Sequence, residues 1–282
     1  MGGALALGGL LPRGAEIAFV SKQGEKPAIY RMDIDRHLTA PLTDSRMASY
    51  APSWSPDGQQ IVFYSDRDGG RDLYLMDAQG QDIRRLTDNH ANNDGPVWSP
   101  DSQTIAFHSD QSDDYNIHLL NLADGSTRPL LPFDVYWDAD PSFSPDGEQI
   151  VFVSTREQLN ANLYVIDIDG HNLRRLTDNL AEDYTPEWSP DGAQIAFVAR
   201  NVRDGGLKVH LMQADGSGLR SLGGARVGVV DQSPSWSPDG TRLVFASTTG
   251  GSFDIFMLNA DGSSVRQLTT HPDDDWGPVW RP

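Results

Sequence analysis

PSWSPDGQQIVFYSDRDG, residues 52–69, reads as a strand, a tight turn and a second strand. Ser-Pro-Asp-Gly suits a type I turn, with Pro at its second position and Gly free to take positive φ at the exit. The recurrence of this corner decides the architecture. It returns as Trp98-Ser-Pro-Asp-Ser102, Phe143-Ser-Pro-Asp-Gly147, Trp188-Ser-Pro-Asp-Gly192 and Trp236-Ser-Pro-Asp-Gly240, and in shortened form as Trp280-Arg-Pro282. From Trp54 onward the aromatic residues are 44, 45, 45, 48 and 44 positions apart. A period in the forties sustained along the chain specifies a repeat architecture, in which each unit buries its faces against its neighbours. Ser102 stands once where the sister units have Gly, at a predicted cost of up to about 1 kcal/mol if the position is left-handed.

Every unit carries four strand signals. The first is Pro-x-Trp, as in Pro52-Ser-Trp54 and Pro278-Val-Trp280. The second is Ile61-Val-Phe63 and its echoes at Ile17, Ile105, Ile150, Ile195 and Leu243, where large residues alternate with Ala or Val and both faces are buried. The third is Leu73-Tyr-Leu-Met76, repeated at Leu163 and Ile255. The fourth is Arg84-Arg-Leu-Thr87, repeated at Arg174 and Arg266. Pro41 and Pro129 fall in the fourth strand, where a missing N–H is tolerated only at a sheet edge, so this strand is the rim and the Pro-x-Trp strand the hub. Six four-stranded sheets about an axis make an all-β, six-bladed propeller of antiparallel blades. The chain enters at a second strand near Glu16 and leaves at a hub strand near Trp280, so one blade is built from the C-terminal hub strand and three N-terminal strands. The expected blades are 277–282 with 15–44, then 50–88, 94–131, 139–178, 184–222 and 232–270, a single domain over 15–282. Residues 1–14 are expected to be a flexible leader. Its apolar run, Ala4 to Leu11, is too short to span a bilayer, has no basic residue before it, and reads as the remnant of a signal or anchor segment.

The sequence Pro-x-Trp-Ser-Pro-Asp-Gly-x-x-Ile-x-Phe, then Leu-Tyr-x-Met-Asp-x-x-Gly, then Arg-Leu-Thr, resembles the WD40-like repeat of the TolB family, over roughly residues 15 to 282. The resemblance implies a six-bladed propeller of the kind that in TolB lies in the periplasm and binds the peptidoglycan-associated lipoprotein at the channel mouth. The α/β domain and the N-terminal peptide that precede the propeller in TolB have no counterpart in the sequence, so a TolB-like propeller without them is expected. Related propellers also cap prolyl-oligopeptidase-type peptidases and form pectate-fragment lyases. No Gly-x-Ser-x-Gly elbow of a hydrolase occurs in this sequence.

With 40 acidic against 22 basic side chains and a net charge of -18, the chain lacks the basic clusters that nucleic acid or an anionic membrane surface requires. There is no cysteine, which excludes thiol, disulfide and zinc-thiolate chemistry. The loops from rim to next hub strand, and from second to third strand, share one face and vary between units. Three residues before each hub proline stand Ser49, Asn93, Asp138, Asp183, Asp231 and Asp275; one place on come Tyr50, Asp94, Tyr184 and Trp276. His90, Tyr136 and Trp137 lie in the same loops. The expectation is an acidic, aromatic funnel at the channel mouth that binds a protein or peptide, with Asx-turn roles for the individual Asp residues as the structural alternative.

No cofactor is required by this reading. A divalent cation such as calcium held by Asp138, Asp183, Asp231 and Asp275 is the metal alternative, since hard cations take six to eight oxygens. Asp66-Arg-Asp-Gly-Gly-Arg-Asp72 resembles half a calcium loop without the twelfth-position Glu, and reads as turn chemistry. His118 and His210 stand where sister units have Tyr or Phe and read as packing, whereas His90, His108 and His271 are placed to project toward the variable face. The functional expectation is a non-enzymatic, monomeric binding module on the extracytoplasmic side, with an envelope-associated partner. The alternatives are a metal-assisted lyase or hydrolase acting on an oligosaccharide or small molecule in the channel, and a sensor or scaffold domain of a larger receptor.

Overall fold

The computed structural model describes residues 14–112, 114–132, 135–157, 160–178, 181–200, 205–222 and 228–282. All of the leader expected over 1–14 except Gly14 lies outside them. The described residues form six four-stranded antiparallel sheets arranged as a ring, the six-bladed propeller expected. Blade I joins the hub strand Asp275–Trp280 to Glu16–Ser21, Ala28–Asp33 and Leu38–Pro41. Blades II to VI start with the hub strands Ser49–Trp54, Asn93–Trp98, Asp138–Phe143, Asp183–Trp188 and Asp231–Trp236. Pro41 and Pro129 end rim strands, each the outermost of its sheet.

Closure is a strand pairing like any other in the ring. Ile17 lies opposite Trp280 and Ala18 opposite Val279, so the two ends of the chain share one sheet. Arg281 reinforces the junction: its Nη1 donates to Glu16 Oε2 at 2.5 Å, its Nη2 to the Gly58 carbonyl at 2.6 Å, and its guanidinium lies 4.8 Å from the Trp54 ring.

The core is six separate seams between blades. Trp54 packs against Ala18, Ile29 and Leu42 of blade I, and Trp98 against Val62, Leu73 and Leu75 of blade II. Phe143, Trp188 and Trp236 repeat the arrangement, and Trp280 completes it against Val244, Ile255 and Leu268 of blade VI. Each hub aromatic is at most 9 % exposed and contributes about 2–3 kcal/mol by burial. Behind it, the Phe of the second strand faces an aromatic residue of the third across the register in every blade. The pair is Phe63 with Tyr74 in blade II, Phe107 with His118 in blade III and Phe197 with His210 in blade V. Burial lowers the pKa of both histidines, which fits the packing role expected of them.

Polar residues of the repeat are spent on backbone groups. In each full corner the Asp accepts the hydroxyl of the preceding Ser and the N–H two residues on, as Asp57 does from Ser55 at 2.6 Å and Gln59 at 3.0 Å. The Thr of the rim motif accepts the N–H of the third strand, as Thr87 does from Leu73 at 3.0 Å and Thr177 from Leu163 at 3.0 Å. Its first Arg reaches the next blade: Arg174 donates to the Ala214 carbonyl and Arg220 to that of Ala260, at 3.1 and 2.8 Å.

Two stability measurements follow. Ser102 has φ +60, so Ser102→Gly is expected to raise the unfolding free energy by about 1 kcal/mol in a denaturant titration. Arg281→Ala leaves Glu16 and the Gly58 carbonyl without their partner and is expected to lower it by about 2–4 kcal/mol.

Candidate functional site at the channel mouth

The ring of oxygen side chains expected at the mouth lies inside the protein. Ser49, Asn93, Asp138, Asp183, Asp231 and Asp275 are each 1 % exposed or less. The reason is strand geometry: these residues open the hub strands, whose first N–H bonds the preceding blade, as Asp183 N does to the Ala161 carbonyl and Asp275 N to that of Phe253. Their side chains therefore enter the seams. Asp138 accepts Arg156 Nη2 at 2.6 Å, Asp231 accepts the Ser247 hydroxyl at 2.6 Å, Ser49 accepts Arg67 Nη2 at 3.2 Å, and Asn93 donates to Asn89 Oδ1 at 2.8 Å. Neither carboxylate oxygen of Asp183 or Asp275 makes a hydrogen bond of good geometry. Burial pushes Asp183 up to about 7, only partly offset by the Thr177 hydroxyl and the Arg175 guanidinium, and raises Asp275 in the same sense. The four candidate calcium ligands sit in four different seams, and among the described residues no group of three or more acidic or histidine side chains is placed to hold a metal ion. Asp72, from the half calcium loop, is bound by Arg85 and Thr87.

The axial channel encloses about 420 Å³ and is walled by the six hub prolines and by the hub aromatics Trp54, Trp98, Phe143, Trp188 and Trp280. Before each hub proline the chain turns left-handed, at Ala51, Gly95, Asp140, Thr185, Ser233 and Gly277, with φ from +46 to +58. The hub-to-second-strand register slips at the same place in every blade, so the hub strand carries a β-bulge that brings its proline to the channel wall. Two described residues lining the channel are ionisable, and both are acidic. Asp140 Oδ2 accepts the Thr185 N–H at 3.2 Å; Glu187 Oε1 accepts the Trp236 N–H at 3.0 Å and the Ser235 hydroxyl at 3.3 Å. Burial raises Glu187 to about 8, against these two hydrogen bonds.

At the mouth, blades II and III bring together a cluster that the sequence reading saw only in part. Tyr50 stacks on Tyr64 at 5.0 Å. Asp94 accepts both Arg71 Nη1 and the Tyr115 hydroxyl at 3.0 Å. The His108 ring meets Tyr115 edge-on at 5.3 Å, and its Nδ1 faces the Asp140 N–H at 3.4 Å. Burial lowers the His108 pKa despite the neighbouring Asp140 and Asp94, and burial beside Asp94 pushes Tyr115 up to about 12. Tyr50 and Asp94 were expected here; Tyr64, Arg71 and Tyr115 were missed. The signal was available for Tyr64, because the residue after the second-strand Phe is Val20, Val153, Val198 or Ala246 elsewhere, and only blades II and III place Tyr64 and His108 there.

The other candidates stand apart from this cluster. Trp137 and Tyr184 both pack on the seam between blades IV and V, and Trp276 on the seam between VI and I. Tyr136 lies 5.9 Å from the Arg156 guanidinium. His90 is exposed, and His271 Nδ1 is 3.2 Å from Asp273.

The sequence profile described as the TolB beta propeller domain matches residues 10–133 and 132–229. The chain belongs to this family. TolB from Acinetobacter baumannii superposes with a TM-score of 0.82 at 22% identity, covering 95% of this chain and 67% of its own. The putative TolB from Agrobacterium tumefaciens gives 0.75 at 21% identity, covering 95% and 98%. An oligogalacturonate lyase from Vibrio parahaemolyticus gives 0.60 at 17% identity, covering 92% and 73%. At these identities the likeness carries the fold alone. No curated protein matches the chain.

The carboxyl groups set opposing pH dependences. The corner aspartates are held low by their Ser hydroxyl and backbone partners, Asp239 at about 2, so their contribution is present above about pH 4 and is lost as pH falls toward 2. Asp183 and Glu187 are raised, so their contribution is complete below about pH 4 and is lost as pH rises through about 7 to 8. Below about pH 6.5 the lowered pKa values of the buried His108, His118 and His210 act in the opposite sense, so the melting temperature is expected to fall from about pH 7 to pH 8, where these histidines are neutral and Glu187 ionises. Asp183→Asn, which can donate to Thr177 as Asn93 does to Thr87, is expected to melt above the parent protein at about pH 8, the difference closing toward pH 5.

Proposed function

We propose that the protein is a non-enzymatic binding propeller of TolB-like type that recognises a basic segment of a protein or peptide with its variable face, as a monomer on the extracytoplasmic side. One observation carries the reading. The Tyr50–Tyr64 stack, Tyr115 and the Arg71–Asp94 pair form an aromatic, hydrogen-bonding rim, and the described ionisable residues lining the adjoining channel, Asp140 and Glu187, include no basic side chain. Aromatic residues and Arg with few exposed alternatives make effective interface centres, and the net charge of -18 favours encounter with a cationic segment. The family resemblance supports proposing a periplasmic setting and an envelope-associated partner.

A lyase-type reading has one feature in its favour, the His108 imidazole beside Asp140 at the mouth. Metal analysis separates the two: a stoichiometric metal removable by chelator, together with an activity on oligosaccharides lost on removal, would favour the lyase.

The test is capture of partners from the native envelope fraction. Tyr50→Ala with Arg71→Ala, checked for an unchanged fold by melting, is expected to weaken capture about tenfold or more. Capture at the parent level by this variant would contradict assignment of the mouth.

A further inference from the structure

The seam between blades III and IV is built differently from its sisters, on the corner face opposite the variable loops. Five seams hold a hub Trp, whereas this one holds Phe143. In two Trp seams the chain lays its own guanidinium on the indole. Arg281, in the slot after the hub aromatic, lies 4.8 Å from the Trp54 ring; Arg242, opening a second strand, lies 5.3 Å from the Trp280 ring. The corresponding slots of blade III are Ser99 and Thr104, and the sister slots to Thr104 in blades II, IV and V hold the longer Gln60, Gln149 and Gln194. A short aromatic under two short side chains leaves space, and a groove of about 360 Å³ opens there.

Its walls match a planar cation. Phe143 lies in the groove with Leu119, and the corner carboxylates Asp101 and Asp146 stand along it. Each carboxylate spends one oxygen locally: Asp101 Oδ1 accepts the Ser99 hydroxyl and the Gln103 N–H, and Asp146 Oδ1 the Ser144 hydroxyl and the Glu148 N–H. Those bonds hold both carboxyls below the usual range and leave Oδ2 of each for a ligand. Arg128, at the rim end, is held to the Ile168 carbonyl at 2.9 Å. We propose that this groove receives an arginine side chain from a partner protein, its guanidinium stacked on Phe143 and bonded by Asp101 and Asp146, as an internal guanidinium is stacked in the Trp54 and Trp280 seams. Arg suits such a site because its planar fork stacks and donates to carboxylates at once.

The probe is N-acetyl-arginine methylamide, followed by NMR shifts at Phe143 and Thr104, with the isosteric neutral citrulline derivative as control. Saturable shifts in the millimolar range are expected, with the citrulline derivative at least about tenfold weaker. Thr104→Arg, which supplies an internal guanidinium as Arg242 does, is expected to abolish the shifts, and Asp101→Asn to weaken them. No saturable shift, equal binding of citrulline, or unchanged binding to Thr104→Arg would each overturn the assignment. Should Thr104→Arg not fold, Asp101→Asn decides alone, unchanged affinity counting against the site.

Discussion

The structure depends on one contact made six times: a hub aromatic wedged against the second and third strands of the preceding blade. A four-stranded blade cannot bury both faces alone, so each seam is the core of two neighbours and the ring is stable only when every seam is filled. Closure is therefore a requirement of the fold. The pairing of Glu16–Ser21 with Asp275–Trp280 gives Trp280 the same seam that Trp188 has, and Arg281 ties that junction to the corner of blade II.

What was legible in the sequence was whatever repeats. The corner, the hub aromatic and the prolines of the rim strand specified blade number, strand order and closure, because each states a backbone condition that one residue type satisfies. Pro129 names an edge, and Ser102 at φ +60 marks a position built for Gly. The bulge in the hub strand was not legible. Its left-handed residue is Gly in only two blades, and Thr185 adopts φ +47 against its β-branched preference because the surrounding sheet dictates it.

The candidate site was harder for the opposite reason. Residues in register, such as Asp183 and Asp275, looked like a funnel but serve the seams, since the opening residue of a hub strand points between blades. Departures from the repeat mark the surfaces with something to offer: Tyr64 and His108 at a Val or Ala slot, and Phe143 with Thr104 where a larger pair belongs. Tertiary placement was needed to see that Tyr115 and Arg71, from different blades, converge on Asp94. In this fold sameness is structure, and difference is where recognition is sought.

Native-state hydrogen exchange tests the closed ring most directly. The amides that bond Glu16–Ser21 to Asp275–Trp280 are predicted to exchange with the free energy of global unfolding, matching those between Asp138–Phe143 and Gln149–Ser154 in blade IV. Exchange about a hundredfold or more faster at the blade I junction than in blade IV would show a ring that opens locally, and would contradict the account.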